Sequence, residues 1–117
     1  MVEGYPEFYG QVSSLMMQFG KESTDTMAGF IQLHKAGSAD GVLSGKIKEL
    51  IALGIAICVR CNGSIAFHVH DAIKAGAIHD EIVETIGVAI LMGGGPSVVY
   101  GSQALEALKE FEDESIG

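Results

Sequence analysis

The stretch KIKELIALGIAICV, residues 46–59, constrains the fold more than any other part of the chain. Ile47, Leu50, Ile51, Ile55 and Cys58 follow the three-and-four spacing of one helical stripe, while Leu53, Ala56, Ile57 and Val59 fill the other faces. A helix apolar nearly all round must be surrounded, so it is either the central helix of a domain or part of a subunit interface. Its β-branched residues would suit a strand, but its length and spacing favour a helix. Ser44 stands ahead of it, where a hydroxyl can accept from the open amides of the first turn.

Five further helices can be set around this one. Tyr5, Phe8, Tyr9, Val12, Leu15, Met16 and Phe19 lie on one face, which predicts a helix over 5–19 with Gly20 as its stop. A second is expected over 25–36, after Ser23 and Thr24, with Met27, Phe30 and Ile31 inward and His34 able to complete that face. The loop GSADGVLSG leads into the apolar helix, and the turn formers Asn62 and Gly63 predict a break near Cys61–Gly63. A fourth helix over 64–75 would turn Ile65, His68, Val69, Ala72 and Ile73 inward, with His70 outward. A fifth is expected over 80–92, its acidic start suited to the helix dipole. Gly95 and Pro96 open a sixth that runs to about Phe111, and the tail EDESIG is expected to fray. The reading is a single all-α domain over 1–117, a compact bundle of about six helices.

Charge and segment lengths exclude several classes. Seven basic against fifteen acidic residues give a formal charge of −8, with no basic stripe for a nucleic acid. The longest apolar run, LIALGIAICV, has ten residues, against the roughly 20 that cross a bilayer. The N-terminal MVEGYPEFYG lacks a basic segment followed by an apolar one, so a cytoplasmic location is expected. In that compartment two close cysteines read as catalytic, metal-binding or core residues before they read as a structural staple. GGGPS lacks the Lys-Ser/Thr of a phosphate loop and is read as a turn.

Chemistry concentrates in CVRCNGSIAFH, residues 58–68. Seven residues return a helix to within about 20° of its start, so Cys61, Ser64 and His68 share one side. A thiol at the open N-terminal end of a helix is acidified by free amides and the dipole, and a nearby imidazole can take its proton. This is a recipe for an activated sulfur nucleophile. Arg60 would add positive charge if its side chain turned inward. Against that stands a plain reading, in which Cys58 is a small core hydrophobe and His68 a satisfied core histidine. Two cysteines and His68 fall short of the four ligands of a structural zinc site, so no metal or cofactor is expected.

The span of roughly 44–96 resembles the carboxymuconolactone decarboxylase-like family, which includes alkylhydroperoxidase D-like proteins. KELIALGIA, an Arg-Cys pair, IAFH ahead of KAGA, then DEIVE and a glycine-rich break carry the resemblance. It implies an all-α fold assembled as a trimer or hexamer. Redox-active members carry a Glu, a Cys-x-x-Cys pair and a His four residues after the second Cys. Placed from the histidine, these fall on Glu49, Cys61, Ser64 and His68. Serine thus stands where the family's second, peroxide-reducing Cys is found, and the visible Cys58–Cys61 pair is displaced one step upstream.

Three functions remain open from the sequence. The first is a thiol-dependent antioxidant enzyme of the peroxidase or peroxiredoxin type. Cys61 is its nucleophile, His68 the base, Glu49 the residue that orients His68, Ser64 a hydrogen-bond donor, and Cys58 or an external thiol the resolving group. The second is a decarboxylase, isomerase or related lyase acting on a small carboxylated lactone through His68 and Glu49. The third is a non-catalytic oligomeric binding protein. Expected partners are other copies of the chain, a small-molecule substrate and a thiol reductant, with neither nucleic acid nor membrane. Glu49 lies twelve residues before Cys61, about 18 Å along a straight helix, so it meets His68 only if the fourth helix folds back on the third or another subunit supplies one of the two.

Overall fold

A computed structural model describes residues 2–116, with side chains as far as Glu114. Six helices follow in order: α1 (Tyr5–Glu22), α2 (Thr24–Ser38), α3 (Gly45–Cys58), α4 (Asn62–Lys74), α5 (His79–Gly93) and α6 (Gly95–Ile116). No strand occurs among the described residues, and none of their helices is long and apolar enough to cross a membrane.

The core forms where α3 packs against α4, α5 and α6. Leu53 and Ile57 of α3, Ile65 and Val69 of α4, Ile82 of α5 and Leu108 of α6 are wholly buried there, and Tyr5 closes one end. Each such aliphatic side chain contributes about 1.5–3 kcal/mol on burial. Yet α3 is enclosed on one side only. Ile47, Ile51, Ile55 and Val59, four residues apart, form a stripe between 42% and 64% exposed. The apolar excess of KIKELIALGIAICV therefore has two destinations, the core and an open face.

Several boundaries differ from the sequence-based expectation, each for a local reason. Gly20 does not stop α1, which runs two residues further to Glu22. Instead Gly20 admits α2, since a Cβ there would stand 3.2 Å from Met27 Cγ. On α2 no residue is buried, and Phe30 and Ile31 are about half exposed rather than inward. The break before α4 lies earlier than Cys61–Gly63: Arg60 takes a left-handed φ of 61°, and Asn62 and Gly63 already belong to α4. His70 does not point freely outward. Its ring stacks on Tyr9 with centroids 4.2 Å apart, and its Nδ1 lies 2.9 Å from Asp71 Oδ1. The tail expected to fray continues α6 to Ile116, helped by Glu112, whose carboxylate lies 3.0 Å from His79 Nδ1; Gly117 is outside the described residues.

In the glycine-rich break after α5, the backbone conformation itself calls for glycine. Gly94 holds φ 69° and ψ −148°, close to a region that only glycine enters readily. Gly93 sits inside a tight contact, where a Cβ would collide with Ser97 Oγ and stand 3.3 Å from Cys58 Sγ. Leu53→Ala removes a fully buried leucine from α3 and should lower the unfolding free energy by about 2–5 kcal/mol, as read from urea denaturation.

Candidate functional site

The site lies where α4 begins. Left-handed Arg60 turns the chain sharply after α3, so that Cys61 becomes the N-cap of α4 with an extended backbone (φ −111°, ψ 103°). Its sulfur accepts a hydrogen bond from the Ser64 amide at 3.4 Å. A second contact fixes the same turn: Tyr5 Oη donates to Asn62 Oδ1 at 3.1 Å. Burial, with Glu110 and Glu106 nearby, pushes the Tyr5 phenol up to about 12, so it stays a donor.

The Cys61 thiol is exposed and held below its usual range. The Ser64 hydroxyl is the largest cause, followed by the Ser64 amide and, more weakly, the Gly63 amide; partial burial opposes them. Hydrogen bonds to a thiolate favour the charged form, and here the donors belong to the first turn of a helix. Arg60 is itself exposed.

One helical turn beyond Ser64, His68 Nδ1 lies 2.7 Å from Glu49 Oε2. Glu49 is buried in α3 and His68 mostly so in α4. The short break between these helices folds α4 back along α3, and a single chain thereby supplies both groups. With Nδ1 engaged, Nε2 is the ring nitrogen left for a further partner.

Cys61, Ser64 and His68 all line one cavity of about 900 Å³ between α1, α2 and α4. Its walls are largely apolar, formed by Val12, Met16, Met27, Phe30, Ile31 and Phe67. His34 and Asp71 also reach it. Sequence reasoning did not single out Asp71, although it follows His68 by three residues and so shares its face. His34 belongs with them only through tertiary packing, which no local spacing reveals.

Cys58 is placed differently. It occupies the last turn of α3, where its sulfur lies 3.5 Å from the Ala89 carbonyl oxygen and 3.9 Å from Ser97 Oγ. Its neighbours are thus α5 and α6. Both cysteines are free thiols.

The profile of the carboxymuconolactone decarboxylase family matches residues 24–108. The chain belongs to that family. A solved family member from Legionella pneumophila is 40% identical and superposes with a TM-score of 0.88, over 92% of this chain and 96% of that one. A family protein from Thermotoga maritima, with a suggested role in the antioxidative response, is 30% identical with a TM-score of 0.72, over 79% of this chain and 96% of its own. An uncharacterized protein of Cupriavidus necator is 35% identical over 86 residues, 74% of this chain and 76% of its own.

The Ser64 hydroxyl accounts for the largest part of the Cys61 shift. Ser64→Ala should therefore move the Cys61 alkylation profile to higher pH, because less thiolate is present at any given pH once that donor is gone. Peptide-resolved mass spectrometry of iodoacetamide labelling against pH reads the shift, which should stop short of an unperturbed thiol because the amides remain.

Proposed function

We propose that this family member is a thiol-dependent antioxidant enzyme, with Cys61 as the nucleophile and His68, oriented by Glu49, as the acid/base group. What carries the reading is the coincidence, in the wall of one apolar cavity, of an acidified, exposed sulfur and of His68, which the buried Glu49 holds from behind. The suggested antioxidative role of the Thermotoga relative agrees with it. The Cys61 thiolate attacks the distal oxygen of a hydroperoxide, the O–O bond breaks, and the leaving alkoxide takes a proton to become an alcohol. His68 Nε2 is the group suited to manage that proton. The product is a Cys61 sulfenic acid.

Resolution then falls to an external thiol. It condenses with the sulfenic acid to a mixed disulfide and water, and a second thiol releases Cys61 as a thiolate with formation of the external disulfide. Cys58 is poorly disposed for this step, being packed toward Ala89 and Ser97. Ser64 supports the thiolate and supplies no second sulfur. A slow, single-cysteine cycle is the expected result.

The Glu49–His68 contact also favours a second reading, because it needs no sulfur. In that case the pair performs proton transfers on a small carboxylated lactone, as a decarboxylase or isomerase would. Alkylating Cys61 with a small reagent would then leave activity intact.

We further propose that the chain acts as a homo-oligomer, a trimer or hexamer, with the open stripe of α3 in its interface. An exposed apolar face of this kind on a monomer is a solubility liability. Ile51→Glu with Ile55→Glu should shift sedimentation toward the single chain while leaving the helical circular dichroism in place.

Intact mass after mild hydrogen peroxide and a sulfenic-acid trap should show one adduct, on Cys61. His68→Ala should slow its formation by about 10²-fold, and Ser64→Cys should raise peroxide turnover. An inert Cys61 combined with His68-dependent turnover of a lactone would replace the antioxidant reading with the second one.

A further inference from the structure

We propose that His34, Glu49 and Asp71 form a binding site for a divalent first-row transition-metal ion, set in the cavity wall. The three side chains come from α2, α3 and α4, and one ligand atom of each lies within 4.8 Å of the others. These are not the cysteines that the sequence offers as metal ligands. The proposed ion shares Glu49 with the site above, but no sulfur takes part in holding it.

Distance decides whether the trio can act together. An ion held at about 2.1 Å from each ligand needs ligand atoms no more than about 4.2 Å apart. The trio therefore needs to close by no more than roughly half an ångström. Glu49 is buried and Asp71 partly so, while His34 is exposed on a helix with no buried residue. Two ligands are thus supported by packing, and the third has the freedom to move in.

The carboxylates are also oriented as metal ligands usually are. Glu49 Oε2 lies 2.7 Å from His68 Nδ1, and Asp71 Oδ1 lies 2.9 Å from His70 Nδ1. Each carboxylate is steadied through one oxygen by an imidazole. Such outer hydrogen bonds orient ligating groups. His70 is in turn fixed by stacking on Tyr9.

The two carboxylates of the trio favour a cation, although Lys35 also lines the cavity. Two carboxylates this close repel each other when both are ionised. The lysines of α3 are engaged elsewhere, Lys46 with Glu81 and Lys48 with the Ala39 carbonyl. Two carboxylates and one imidazole suit zinc, manganese or iron. Three protein ligands, two of them lining an open cavity, leave coordination positions for water or a ligand.

The test uses the full-length chain, stripped with EDTA, desalted and titrated calorimetrically with zinc chloride or manganese chloride. One ion per chain is expected for at least one of the two metals. Affinity should fall at least tenfold in His34→Gln and in Asp71→Asn, and stay within about twofold in the Cys58→Ser, Cys61→Ser double variant. His34 is exposed and Asp71 only partly buried, so circular dichroism should show both variants folded. The buried Glu49 is left unchanged for that reason. Neither metal binding the wild type overturns the proposal. Undiminished affinity in His34→Gln and Asp71→Asn also overturns it, as does loss confined to the cysteine variant, which would assign the ion to the thiols.

Discussion

The contact between Glu49 and His68 depends on, and reports, the central geometric constraint of this chain. A buried carboxylate is costly without a partner, and the partner stands nineteen positions along the sequence. The two meet only because α3 and α4 lie side by side, which requires the chain to reverse within a few residues. Left-handed Arg60 makes that reversal, and the Cys61 cap begins the return. Helix packing, turn geometry and site geometry are thus one arrangement, seen at three scales.

Much of this was legible in the sequence, because the signals were local. The 3.6-residue period placed all six helices, Ser44 announced the start of α3, and the seven-residue spacing put Cys61, Ser64 and His68 on one side of α4. What stayed hidden was set by distant partners. Gly20 looked like a stop signal but serves a close approach of α2. Phe30 and Ile31 looked like core residues but line a cavity. His70 looked free but is stacked on a tyrosine sixty-one positions earlier. A helical period says which residues share a face, and it is silent on what that face meets.

Serine at position 64 changes the logic of the site without disturbing its frame. In the redox-active members that the sequence resembles, the corresponding position is expected to hold a sulfur; here a hydroxyl occupies it and donates toward Cys61. The effect is to stabilise one thiolate and to withhold a second. Cys58, the other sulfur within reach along the chain, is drawn toward the Ala89 carbonyl and Ser97 by the tight contact that Gly93 permits. Two sulfurs three residues apart in sequence therefore live in separate environments, one facing a cavity and one facing the packing of α5 and α6.

The capping role of Cys61 has a consequence for how this position can change over time. Sulfur is a weak acceptor, and serine, aspartate or asparagine would cap α4 at least as well. Folding therefore places little value on the thiol. A lineage that replaced it would keep its helix, its cavity and its Glu49–His68 contact, and nothing in solubility or thermal stability would betray the change. Position 61 is one where the architecture is indifferent and only reactivity can tell the difference.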